Sequence, residues 1–160
     1  MKTTPEPAIE FASPSLLRIF ASMVYDSLLL AAISIAYGAL VVGIRVAVVG
    51  QPEAGQRIQW GIPAGILVTL GWLISLMFFY VYFWQKFGQT LGMKTWRIQL
   101  VDAQTNQLIS RSQGITRSLA AMLSLACLGI GYWLSLIHPQ GRLLHDVISG
   151  TRLILLKKSK

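Results

Sequence analysis

Residues 58–85 read IQWGIPAGILVTLGWLISLMFFYVYFWQ and carry no charged side chain. A helix rises about 1.5 Å per residue. About 20 apolar residues cross the hydrocarbon of a bilayer, which is about 30 Å thick. This stretch is long enough, and it is bracketed as a span is. Trp60 stands near its start, and Tyr80, Tyr82 and Trp84 near its end. Trp and Tyr settle at both membrane interfaces. A buried helix of a soluble domain is rarely this long and this apolar. The segment therefore decides the class: an all-α membrane protein, with one helix predicted over about 60–84.

Composition agrees with that class. Of 160 residues, 54% are hydrophobic and 12% charged, against about 25% charged in an average soluble domain. So little polar material does not coat a soluble globule, and a bilayer removes the need. The net charge is +8, from 14 Lys and Arg against 6 Asp and Glu. These basic residues flank the apolar runs. They read as topology signals and contacts for anionic lipids, and no nucleic-acid partner is expected.

Cys127 is the only cysteine, which excludes an internal disulfide. Its apolar setting predicts a small buried packing residue. His138 and His145 have no Cys or paired His at ligand spacing, so neither a metal site nor a cofactor is expected. No GxSxG or HExxH motif occurs, and no two acids lie in facing spans. An enzyme is therefore not expected.

Toward the N-terminus a second apolar run covers about 15–49, with a helix predicted over about 18–45. Between Arg18 and Arg45 its only charge is Asp26. A carboxylate near a helix centre costs about 2.5–3.5 kcal/mol on insertion scales. Such an acid usually faces the bundle or a wet cavity and has a partner. Arg18 is a poor candidate. It lies about 12 Å away along the axis and about 80° around it, and an Arg at a helix end reaches for headgroups. The partner is therefore expected from another segment: Arg117, Arg142, Arg152 or a cation. Ser13 or Ser15 is the candidate N-cap, with Pro14 in the first turn. Residues 1–14 are polar and Pro-containing and read as a flexible tail. They lack the basic-then-apolar pattern of a cleaved signal peptide.

Toward the C-terminus comes a polar loop, 86–117. WRIQLVD alternates as a half-buried strand does. DAQTNQ is turn-rich, and QLIS (107–110) reads as the return strand of a hairpin. GTRLILL (150–156) is a second strand-like run that can pair with the first. Residues 118–137 form a third apolar segment, again long enough to span.

The loop carries Lys86, Lys94, Arg97, Arg111 and Arg117. The C-terminal part carries Arg142 and Arg152 and then the basic tail 157–160. The positive-inside rule puts both in the cytoplasm, which three full crossings do not allow. A re-entrant third segment does, bent at Gly129 and Gly131 in LGIGYW. Such backbone is tolerated where protein buries it. The expected layout is a membrane domain over 15–156. It has two firm spans, a third segment that re-enters or crosses, and a small cytoplasmic β-hairpin or flap whose C-terminal part is 141–156.

Two further spacings stand out. In GRLLHDVISGTR, Arg142 and Asp146 are placed to pair on a helix, and His145 beside them can titrate near neutrality. Gly61 and Gly65 form a GxxxG that can seat a second helix.

LLRIFASMVYDSLLL, GQTLGMKTWRIQLVD and GRLLHDVISGTRLI, in this order, resemble the RDD family of small multi-pass membrane proteins, named for one Arg and two Asp. The resemblance covers about 15–156. It implies that Arg18 is the family's Arg, Asp26 its first Asp and Asp146 its second. It also implies that Gly88 and Gly92 form the turn after the second span. From the charge distribution, the expected location is a bacterial cytoplasmic membrane, with both chain ends on the cytoplasmic side.

Transport, including cation–proton exchange, has been suggested for some members, so two readings stand side by side. In one, Arg18, Asp26 and Asp146 form a buried polar cluster of a structural or partner-assisting module. Arg117, Arg142, His145 and Arg152 then support it. In the other, an oligomer transports a cation or proton through Asp26. Either reading makes a homo-oligomer or another membrane protein the expected partner.

Overall fold

The computed structural model describes residues 12–139 and 141–156. Most of the expected N-terminal tail and all of the basic tail 157–160 lie outside them. Two helices, α1 (Leu16–Val49) and α2 (Ile62–Phe87), are long and apolar enough to cross a membrane. At 1.5 Å per residue they measure about 51 and about 39 Å. Ser15 is the N-cap of α1 but makes no side-chain cap bond. Pro14 thus precedes the cap and is not part of the first turn.

Lipid is as apolar as Leu, so helices in it are joined by packing and hydrogen bonds. Here Tyr37 Oη donates to the Val68 carbonyl at 2.8 Å, and Trp72 Nε1 donates to Ser34 Oγ at 2.9 Å. The two spans are held side by side through these bonds.

α2 ends at Gly88, which is left-handed with φ +68°, a conformation glycine adopts without strain. The turn lets the Gly88 carbonyl accept from Leu100 N at 2.8 Å. A short helix α3 (Leu91–Thr95) and a strand β1 (Ile98–Asp102) follow. The Asp102 carboxylate then accepts from Gln104 N and Thr105 N, both at 2.8 Å, and from Gln113 Nε2 at 2.5 Å. These donors hold the carboxyl near pKa 2. They also fold the chain back at once, so residues 107–110 serve as a connector and not as the expected return strand. Ser110 and Gln113 close a capping box at the start of α4 (Arg111–Ala126).

The partner of β1 is the C-terminal strand β2 (Thr151–Leu155). It runs antiparallel, with Ile98 opposite Leu155 and Asp102 opposite Thr151. The sheet is therefore closed by the second strand-like run, from far along the chain.

Between the strands, α4 is followed by α5 (Ile130–Ile137), with a bend of 102° between them. Gly129 supplies the bend with φ +72°. Gly131 N donates to Ser124 Oγ at 2.9 Å across it, and a Cβ at Gly131 would lie only 2.9 Å from the Ser124 Cβ. Cys127 caps α4 at this corner and is exposed. It is not the buried packing residue its apolar setting predicts, because the chain turns outward there.

α6 (Leu144–Ser149) then packs on α4, and Leu155 N donates to the Ala12 carbonyl at 2.8 Å. The start of α1, the α2–α4 link and the C-terminal strand thus meet in one flap. The buried core lies under this flap and includes Ile19, Trp84, Met93, Leu100, Tyr132 and Leu143. Trp84 is only 4% exposed. It belongs to this core and not to an aromatic belt, because the flap covers that face of α2.

About 20 helical residues cover 30 Å of hydrocarbon. Counted back from Arg45 they reach Tyr25. Counted on from Gly61 they reach Val81. Asp26 therefore sits at the flap-side edge of the slab, beneath protein, and the cost of a carboxylate at the bilayer centre does not apply.

Candidate functional site: two polar clasps beneath the flap

Asp26 is 2% exposed, and its donors come from α3. Thr90 Oγ1 donates to Asp26 Oδ2 at 2.6 Å, and Gly92 N donates to Oδ1 at 2.9 Å. The local sequence explains why. The first N–H groups of a helix have no partner within it. In GQTLG, Thr90 is the N-cap: its hydroxyl accepts from Met93 N at 3.2 Å and donates its own hydrogen bond to Asp26. The Gly92 N–H is a further free donor, and the carboxylate takes it.

Gly92 also permits the approach of the two helices. A Cβ there would overlap the Ser22 carbonyl oxygen of α1 and lie 2.9 Å from Asp26 Cγ. The two glycines of GQTLG thus differ: Gly88 makes the turn and Gly92 the contact. Thr90 was the residue sequence reasoning missed. Its signal was a Thr placed to cap a short helix.

The second clasp joins α4 to α6. Arg117 Nε donates to Asp146 Oδ1 at 2.9 Å, with side chains 7% and 1% exposed. The Arg117 guanidinium lies 4.5 Å from the ring centre of Trp84 on α2, a cation–π contact. Thr151 Oγ1 adds a bond to Asp146 Oδ1 at 3.3 Å.

Arg142 does not pair with the Asp146 carboxylate, as helical spacing would have it. It precedes α6, and its Nη2 reaches the carbonyls of Asp146 and Thr151 at 3.2 and 3.0 Å. The first carbonyl belongs to α6 and the second to the start of β2, so Arg142 ties the end of the helix to the strand.

His145 is 1% exposed, its ring edge-on to Tyr132 at 4.9 Å. Burial, helped by the nearby Arg117 charge, pulls its pKa down to about 2. It is therefore neutral throughout the physiological range and does not titrate near pH 7. Its Nδ1 has no hydrogen-bond partner among the described residues.

The expected cluster of Arg18, Asp26 and Asp146 is thus not one cluster. Arg18 is half-buried in the first turn of α1 and forms no ion pair among the described residues. No cation pairs with Asp26 there either: Arg117 is engaged by Asp146, and Arg152 reaches Asn106 on the flap surface. Neutral donors replace the counter-charge because α3 delivers them from a turn away.

The clasps meet at a cavity of about 390 Å³, which Asp26, Arg117 and His145 all line. Among the described residues no group of three or more His, Cys, Asp or Glu could hold a metal ion.

No curated protein and no solved structure matches the chain. A family model does, over residues 13–150, and it takes in both clasps and both spans. On that match the chain belongs to the RDD family, and it is a membrane protein of two or three spans.

Proposed function

We propose that this RDD protein is a structural membrane module, non-enzymatic, whose clasped flap assists a second copy or another membrane protein. The observation that carries the reading is the use made of Asp26. Each of its oxygens is taken by a donor of α3, which fastens the flap to the first span. Arg117 and Asp146 fasten the other half. A carboxylate engaged in this way sets how segments pack. Removing one member of such a set strands the others.

The alternative is cation or proton exchange through Asp26 in an oligomer. It draws on one observation: Asp26 lines the cavity together with Arg117 and His145. Asp26→Asn separates the two readings. For the module, the variant accumulates poorly or loses its partner, and wild-type vesicles show no cation-driven proton movement. Flux in the wild type that disappears in a well-folded Asp26→Asn would favour exchange instead.

The module is proposed to lie in a bacterial cytoplasmic membrane, its flap in the cytoplasm. Lys86, Lys94, Arg97, Arg111 and Arg142 are on the flap side, against Arg45 and Arg57 at the other end of the spans. The positive-inside rule then orients the chain, and the same basic face suits anionic lipids.

The bent pair α4–α5 is read as re-entrant. In support, the strands on either side of it share one sheet. Tags at Gln104 and at the C-terminus are both expected to react from the cytoplasmic side. Labelling from opposite sides would make the pair a full crossing.

A further inference from the structure

The cavity between the spans holds a feature that neither clasp uses. Arg117 is 6% exposed, yet among the described residues only its Nε makes a hydrogen bond. Its two terminal nitrogens have no hydrogen bond among the described residues. His145 Nδ1, also buried, lacks a partner as well. The guanidinium therefore presents N–H groups to the cavity, beside a buried ring nitrogen without a partner, and suits a ligand that accepts hydrogen bonds.

Away from this polar end the walls turn apolar, with Leu30 of α1 and Leu73 and Met77 of α2. The volume, about 390 Å³, falls within the usual range for small-molecule pockets. α1 and α4 each pack on α2 but share little contact with one another, so the space between them faces the bilayer.

Charge decides the kind of head group. Asp146 already balances Arg117, His145 is neutral, and Asp26 is an acid. A second anion would be uncompensated in a low-dielectric site. An uncharged acceptor would not. Depth decides its source. The polar end lies at the flap-side edge of the hydrocarbon, where the chains of bilayer lipids join their polar heads.

We propose that the cavity binds one acyl chain of a bilayer lipid, with the ester carbonyl of that chain accepting from the free guanidinium N–H groups of Arg117. The chain lies along Leu30, Leu73 and Met77, and the lipid head stays outside beside the flap. This goes beyond the clasp role and stands apart from it, since the clasps are complete without the lipid.

The test titrates the purified full chain, in detergent, with a dioleoyl ester phosphatidylcholine and with its diether analogue. The two have the same apolar body, but the ether lacks the carbonyl. Bound lipid is counted by native mass spectrometry. The ester is expected to bind about tenfold or more tightly, the range of a hydrogen bond to a charged group. Leu73→Trp fills the apolar end without touching either clasp, and should abolish binding of both lipids while the protein still unfolds cooperatively.

Equal affinity for ester and ether would overturn the proposal. So would ester binding that survives in Leu73→Trp, or no binding of the ester at all. An isoprenoid quinone that binds where the ester does not would overturn it in favour of a different occupant. A failed Asp26→Asn test of the clasp leaves all these readouts unchanged, so the two ideas fail separately.

Discussion

Arg117→Met should destabilise the protein by about 3–5 kcal/mol, the usual cost of leaving one charge of a buried pair uncompensated. Asp146 is 1% exposed, and no other cationic side chain pairs with it among the described residues. The stacked contact with Trp84 is lost in the same step. Met keeps most of the apolar stem, so the loss reports the charge more than the volume. Adding Asp146→Leu should restore part of the stability, because a buried pair replaced by apolar groups is often neutral. Reversible unfolding in mixed micelles, followed by circular dichroism, measures both. A double variant as unstable as the sum of the single ones would mean that the pair is not a unit.

Gly92→Val should be comparably severe, for a steric reason. Its side chain would enter the space of the Ser22 carbonyl and Asp26. Overpacking costs about 1–3 kcal/mol. Displacing α3 then leaves the Thr90 hydroxyl, the Gly92 N–H and a buried carboxylate short of partners, at about 1–3 kcal/mol each. Gly38→Ala is the control. Nothing lies within 4 Å of a Cβ at Gly38, and Ala is the better helix former by about 1 kcal/mol. The same unfolding measurement should show a large loss for Gly92→Val and little or none for Gly38→Ala. Equal effects would mean that α3 does not press on α1.

Much of the architecture is legible in the sequence, because lipid exposure leaves a coarse signal. A long uncharged run is a span whatever packs beside it, and both spans could be read this way. So could the bend at Gly129, where glycine interrupts an apolar run. The site was harder. Asp26 is conspicuous as the only charge between Arg18 and Arg45, but a search for its partner among cations looks past Thr90. Hydroxyl and backbone N–H donors carry no formal charge to notice. The Arg142–Asp146 spacing misled for a related reason: it presumes a helix that includes both residues, and α6 begins only at Leu144. Burial of His145 was likewise invisible, since its neighbours Tyr132 and Arg117 come from other helices.

The claim that Asp26 is fastened by neutral donors of α3 is tested most directly by a double-mutant cycle. It combines Asp26→Asn with Thr90→Val, and unfolding is measured in the same micelles for all four proteins. Residues that share a buried hydrogen bond are expected to show a coupling of about 0.5–3 kcal/mol. Effects that add to within about 0.3–0.5 kcal/mol, as for distant independent sites, would contradict it: Asp26 would then be held by something other than Thr90.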